Sequence, residues 1–345
     1  MDISGNGDPS EQSDILTVRW QLDSGIGHQD AYALVLKPLL KAENIVFVDG
    51  DGDGDPEVVF FPTLDFNYSA LLRSCLRSLF GGPRTVALLL RPQTCIRPVK
   101  PVHFVKQLLF RLLRRAPNIA ILTIMPFSVE PRLASFSKAW IQDPQLWDLA
   151  IIAPSALEPP TQPGPGRKIV VMLGVLSSLK GFDKFARLWI GEECVRNSFR
   201  FIAAGTLDPD LGDLAEAFVR AGGELVNERI SDEQIYAYYR TADMVWCAYD
   251  PSYDQASGIF GRAFQLGIPS IVTAQSMVHK QAQALGQDVL ALVPDEAGSF
   301  PGAAKKLLSW EPQRVSAGSR AAVVTQMRNR DVNVLAAILR GRPDH

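Results

Sequence analysis

The sequence predicts two α/β domains of similar size, each a doubly wound parallel sheet, facing one another across a cleft. Three observations carry this. Short runs rich in Val, Ile and Leu recur along the chain, each followed by an amphipathic stretch: "NIVFV", "EVVFFP", "TVALLL" and "NIAILTI" in the first half, "KIVVML", "FRFIAAG", "GELVN", "DMVWCAY" and "PSIVT" in the second. Apolar runs of that length suit strands buried on both faces, with helical crossovers between them. Between these two sets lies "PSALEPPTQPGPGRK", with five Pro and two Gly over residues 154–166. No regular element accommodates that composition, so it reads as an interdomain linker. Finally, 345 residues of which 47% are apolar can fill two cores.

The expected organisation is a disordered tail over 1–13, a first Rossmann-like domain over 14–155, a linker over 156–167 and a second Rossmann-like domain over 168–325. A C-terminal helix over 326–345, built on "DVNVLAAILRG", is expected to pack back on the first domain. The opening "MDISGNGDPSEQSD" is acidic and polar, unlike a signal peptide. Cys75, Cys95, Cys194 and Cys247 form no CxxC pair, which suits a reducing cytosol and supports neither a disulfide framework nor a zinc site. A net charge of −2 argues against a nucleic-acid partner. No apolar run reaches membrane-spanning length. Charge is nevertheless uneven: residues 66–115 hold ten Lys or Arg and no Asp or Glu. Many of these cations lie on two helix-like stretches, "YSALLRSCLRSLF" and "HFVKQLLFRLLRR". One reading is a solvated helix pair. The other is a surface for an anionic membrane or a lipid phosphate, which would make the protein cytoplasmic and peripheral at the inner face of the membrane.

Two turns in the second half point to chemistry. "VVMLGVLSSLKGFDKF" reads as a strand, a turn through Gly174, Ser177 and Ser178, then Lys180-Gly181 opening a helix. "CAYDPSYDQASGIFGRAFQLGIPSIVT" repeats the layout, with Asp254 in the loop and Ser257-Gly258 capping a helix that begins near Ile259. Free N–H groups and the dipole at a helix N-terminus favour phosphate, and Lys180 adds a point charge. Two such turns in one domain suit a diphosphate held between them.

These residues resemble the donor domain of GT-B glycosyltransferases, especially the retaining family 4. A family turn "G-x-L-x-x-x-K-G" is matched by Gly174, Leu176, Lys180 and Gly181, a strand end "l-x-x-a-G" by "FIAAG" closing on Gly205, and the hallmark "G-x-x-x-EA-x-A-x-G-x-PVI" by "SGIFGRAFQLGIPSIVT". "NERISDEQIYAYYRTADMVWCAYDPSYD" is similar to the family's base-binding loop, short helix and strand. The likeness spans roughly residues 169–278; more loosely, "DSGIGHQDAYALVL" resembles the acceptor domain's glycine-rich first turn.

The resemblance implies a first domain that binds acceptor and a second that binds donor. It implies a metal-independent enzyme with no cofactor, moving a sugar with retention from a nucleotide diphosphate sugar to a saccharide or lipid-linked acceptor in glycan assembly. Lys180 would neutralise the diphosphate, backbone amides of Gly258, Ile259 and Phe260 would hold the distal phosphate, and Arg229 and Ile230 would present backbone to the base. Asp254 stands where the first Glu of the family's E-x7-E pair contacts the sugar. His28, with Gly25 and Gly27, would meet substrate from the acceptor side and could act as base or donor. His103 and His279 have no partners at ligand spacing. There are two departures: Val175 replaces a common Arg, and Arg262 replaces the second Glu, although an Arg cannot accept hydrogen bonds from ribose. They motivate a rival, a catalytically silent GT-B scaffold in a glycan-assembly complex. A second rival is a peripheral membrane-binding partner acting through 66–115.

One further stretch, "FVDGDGDGDPEVVFF", spaces Asp49, Asp51, Asp53 and Asp55 with Gly. It begins like an EF-hand loop, but the twelfth position is Phe60 and the flanks read as strands. A polar loop between strands is the favoured reading. A metal-binding DxD of the GT-A type is the alternative.

Overall fold

A computed structural model of the protein describes residues 15–21, 29–49, 56–64, 68–148 and 166–342. The first sheet contains β1 (Leu16–Trp20), β2 (Ile45–Asp49), β3 (Val58–Phe61), β4 (Arg84–Leu89), β5 (Ile119–Thr123) and β6 (Ala139–Trp140), in the order β2-β1-β3-β4-β5-β6. Every pairing is parallel. Its helices are α1 (Gln29–Lys41), α2 (Tyr68–Leu79), α3 (Gln93–Ile96) and α4 (Pro101–Leu113).

Strand alternation distributes the core over the two faces. Val18, Phe60, Val86, Leu88 and Leu122 point into one cluster with Tyr32, Leu36 and Leu40 of α1. Their sequence neighbours Val59, Phe61, Ala87, Leu89 and Ile121 point into the other, under Leu71 and Cys75 of α2 and Phe110 and Leu113 of α4. Burial on both faces is why these strands read as unbroken apolar runs.

The second sheet contains β7 (Lys168–Leu173), β8 (Phe199–Ala204), β9 (Glu224–Val226), β10 (Met244–Cys247), β11 (Ser270–Thr273) and β12 (Val289–Leu292). It is also wholly parallel, in the order β12-β11-β10-β7-β8-β9. Around it run α5 (Phe182–Gly191), α6 (Glu193–Ser198), α7 (Gly212–Arg220), α8 (Asp232–Thr241), α9 (Gly258–Gln265), α10 (Met277–Ala284) and α11 (Ala303–Ser309). The strand order reverses between β7 and β10, so a crevice opens beyond their carboxyl ends.

The last helix, α12 (Ala317–Leu339), starts inside the stretch that the sequence assigns to the second domain. Ser316 caps it, accepting the Ser319 N–H at 3.2 Å. Its start touches the second domain: the Arg320 guanidinium donates to Gln287 at 3.1 Å and lies 4.1 Å from the Phe264 ring. Its end completes the first core, where Val332, Leu335, Ala336, Ile338 and Leu339 join the α1 cluster. Elsewhere the domains meet directly. The Gln265 side chain donates to the Leu146 carbonyl, and Met277 is buried in the first domain's second cluster.

Candidate functional site

The two sequence-predicted turns lie side by side at the carboxyl ends of β7 and β10. Gly174 leaves β7 with φ +91°, and its Cα faces the Ile259 side chain, whose Cδ1 would stand 3.9 Å from an added Cβ. Across β8, a side chain at Gly205 (φ +143°) would fall onto the Gly174 carbonyl, so both strand ends need bare backbone. The turn then closes on itself. Ser177 Oγ accepts the Lys180 N–H at 3.3 Å, and the Ser178 carbonyl accepts from Gly181 at 2.9 Å. Gly181 caps α5 with φ +82°, and any Cβ there would strike the Ala248 carbonyl at 2.3 Å. This contact locks the Lys180 turn onto the strand end of β10.

The lysine itself reaches the second turn. Lys180 Nζ lies 4.7 Å from the Tyr249 ring centroid and 4.8 Å from that of Tyr253, a cation held by two aromatic faces. The Asp250 N–H donates to the Leu179 carbonyl at 3.0 Å. Burial works to raise the Asp250 carboxyl, but hydrogen bonds from Ser252 and the Lys184 ammonium at 3.1 Å outweigh it and hold the group below its usual range. Ser257 is the N-cap of α9, its Oγ accepting from Phe260 N–H at 3.2 Å and sharing a 2.6 Å hydrogen bond with the Tyr249 hydroxyl. Burial pushes the Tyr249 hydroxyl well above its ordinary value, so it stays neutral as that partner. Gly258 opens α9 toward the first domain: a Cβ there would lie 3.8 Å from Gln145.

The remaining predicted residues fall as follows. Arg229 is exposed and Ile230 buried, in the loop between β9 and α8. Arg262 donates to Gln265 at 2.6 Å and lies 5.7 Å from the Tyr236 ring. Asp254 is engaged at both oxygens: Oδ1 accepts the Met277 N–H at 2.6 Å, and Oδ2 pairs with Arg97 of the first domain at 3.3 Å. Gly25, Gly27 and His28 lie outside the described residues, as do residues 50–55 of the Asp run. Among the described residues, no group of three His, Cys, Asp or Glu side chains could hold a metal. His103 and His279 serve turns: each Nδ1 accepts backbone N–H groups just upstream, from Val99 and Lys100 and from Gln275 respectively.

Between the domains lies a cleft of about 320 Å³. Tyr68, Arg91, Gln93, Thr94 and Lys106 form its first-domain wall, and residues 252–255 form the other. The Gln93 side chain donates to that of Gln255, and Lys106 Nζ donates to the Tyr68 hydroxyl. None of the first-domain lining residues, nor Tyr249 or Tyr253, is among the predicted site residues. Arg91 had a signal: it follows β4, at the strand end where open α/β sheets bind ligands.

No protein-family model and no curated protein sequence matches the chain. Solved structures do. Anabaena HepE, in complex with UDP and glucose, aligns with a TM-score of 0.58 and 13% identity, over 95% of this chain and 100% of that one. The sucrose-phosphate synthase of Thermosynechococcus elongatus gives 0.56 and 13%, over 95% and 98%. A Listeria monocytogenes protein assigned as a UDP-N-acetylglucosamine 2-epimerase gives 0.57 and 13%, over 96% and 99%. The fold is GT-B. At such identities the likeness concerns architecture, which transferase and epimerase share, so chemistry has to be argued from this chain's own side chains.

Proposed function

We propose that the chain is a glycosyltransferase that binds a nucleotide diphosphate sugar in the second domain. It passes the sugar, with retention and without a metal, to a saccharide or lipid-linked acceptor. Its work in glycan assembly is at the cytoplasmic face of an anionic membrane. The observation that carries this reading is the meeting of two anion-suited turns: the Lys180 ammonium over Tyr249 and the capped N-terminus of α9. When the sugar–phosphate bond breaks, negative charge gathers on the departing diphosphate. Lys180 and the amides of Gly258, Ile259 and Phe260 stabilise that charge, the term that usually dominates. Closure of the cleft keeps water from competing with the acceptor. His28, with Gly25 and Gly27, is the acceptor-side candidate, its imidazole able to act as base or donor.

A silent scaffold is the second reading, favoured by specific contacts. Asp254 is tied to Arg97 and Met277, and Arg262 to Gln265. The discriminating experiment is calorimetric titration of UDP and GDP, with chelator present, into wild type and Lys180→Ala. Micromolar binding of one nucleotide, weakened roughly tenfold or more by the substitution, is expected from loss of one charge-assisted contact. A folded wild type that binds neither nucleotide would sink the enzyme reading and leave the scaffold.

A further inference from the structure

We infer that Tyr253, together with Tyr249, is a positioning residue for the donor diphosphate: the two rings hold the Lys180 ammonium in place without cancelling its charge. This rests on the donor reading of the second domain and adds the residues that make its lysine effective. Charge is the first argument. A carboxylate beside Lys180 would fix the ammonium but compete with the diphosphate for it, whereas an aromatic face attracts a cation through its quadrupole and leaves the charge whole. The acids of the neighbouring loop are engaged elsewhere. Asp250 pairs with Lys184 and accepts from Ser252, and Asp254 pairs with Arg97 and accepts the Met277 N–H. Among the described residues no carboxylate pairs with Lys180, and its Nζ lies instead over Tyr249 and Tyr253.

Geometry is the second argument. The two rings meet edge to face, with centroids 5.9 Å apart and planes at 85°, so they form a corner rather than a single wall. The corner is tied to the lysine's own turn: Asp250 N–H donates to the Leu179 carbonyl at 3.0 Å, and Tyr253 N–H donates to the Asp250 carbonyl at 2.8 Å. It is tied to the second turn as well, because the Tyr249 hydroxyl shares a hydrogen bond with Ser257, the N-cap of α9. Lysine has a long, flexible stem, and ordering it when phosphate arrives costs free energy. An ammonium already ordered beside the α9 amides spares the binding step that cost.

The test substitutes Tyr253, which is half-buried at the cleft, and leaves the buried Tyr249 and its bond to the cap intact. UDP and GDP, with uridine and guanosine as phosphate-free controls, are titrated into full-length wild type, Tyr253→Phe, Tyr253→Leu, Lys180→Ala and the Lys180→Ala/Tyr253→Leu double variant. Tyr253→Leu keeps apolar bulk but loses the ring face. It should weaken the nucleotide that wild type binds by roughly three- to tenfold. The matching nucleoside should bind it as it binds wild type. Tyr253→Phe should match wild type, and Tyr253→Leu should have no further effect once Lys180 is gone. Equal losses in the Phe and Leu variants overturn the inference, since the hydroxyl and not the ring face is then at work. An undiminished loss in the Lys180→Ala background overturns it, as does tighter nucleotide binding by Tyr253→Leu, which would mean that the rings park the lysine away from the phosphate. A second readout needs no nucleotide. In protein labelled with ¹³C at lysine Cε, the Lys180 signal, identified by its loss in Lys180→Ala, should carry an upfield ring-current shift that diminishes in Tyr253→Leu. Absence of that shift from wild type overturns the inference even where UDP or GDP binds. A wild type that shows the shift but binds neither nucleotide fails the donor reading first, and the positioning role is overturned with it.

Discussion

Asp331 is 1% exposed on α12, where its Oδ2 accepts the Gln142 N–H at 2.9 Å and its Oδ1 pairs with Arg330 at 2.6 Å. Burial pushes its carboxyl up to about 6, against the opposing pull of that hydrogen bond and of Arg330. An unfolded Asp titrates near ~4. Between those values the folded chain holds the extra proton, so stability declines as pH rises from about 4 to about 6. The full loss above that window is on the order of 3 kcal/mol. Asp331→Asn keeps an acceptor for Gln142 but does not titrate. Urea denaturation at a series of pH values should show the variant gaining on wild type from pH ~4 to ~7; a constant difference would mean that Arg330 fully compensates the burial. At this scale the sequence was legible where partners are close along the chain. Ser177 caps the Lys180 turn and Ser257 caps α9 within three residues. The Arg97–Asp254 pair was not legible, because its partners lie in different domains and no local spacing records such a contact.

Helices α2 and α4 cover the same face of the first sheet, and each keeps an apolar stripe turned outward. Leu72, Leu76 and Leu79 are exposed on α2, with Phe80 beyond its end at 88% exposure, and Val105, Leu108 and Leu112 are exposed on α4. Basic residues interleave with them, including Arg73, Arg77, Lys100 and Arg111. On the proposed reading an anionic bilayer would receive both stripe and charge. Leu108→Glu, at a position 59% exposed, should leave the fold intact. It should weaken co-sedimentation with phosphatidylglycerol vesicles roughly fivefold or more, with little wild-type binding to phosphatidylcholine alone. Unchanged sedimentation of the variant would return these helices to ordinary solvated surface. Among elements, strands buried on both faces were easy to find in the sequence. Those missed were β1, where Thr17 and Arg19 interrupt the apolar pattern, β6 with two residues, and the half-exposed β12.

Across the whole molecule, α12 belongs to both domains. Arg320 anchors it on Gln287 and Phe264, while Leu335 and Leu339, both fully buried, fill the first core beside Leu36 and Leu40. Arg84 then donates to the Leu339 carbonyl at 2.7 Å, and Arg340 to that of Glu43 at 2.7 Å. Leu335→Ala should cost roughly 2–5 kcal/mol of unfolding free energy, measured by urea denaturation, because the cavity opens in the first core. A cost below about 1 kcal/mol would mean that the helix only rests on the surface. The "DVNVLAAILRG" pattern shows that this helix is amphipathic. Its start at Ala317 was hidden, since "SAGSRAAVVTQ" has no strong apolar period until tertiary packing supplies its partners.

The sharing of α12 also gives the fold a direction in time. During synthesis the residues of the first sheet emerge from the ribosome before any of the second. Yet Trp20, Leu36, Leu40 and Leu88 bury against Leu335 and Leu339, near the other end of the chain. While the second sheet is still being made, α1 covers that apolar face without the side chains that α12 later adds. The half that is born first therefore completes its core only after α12 has been made.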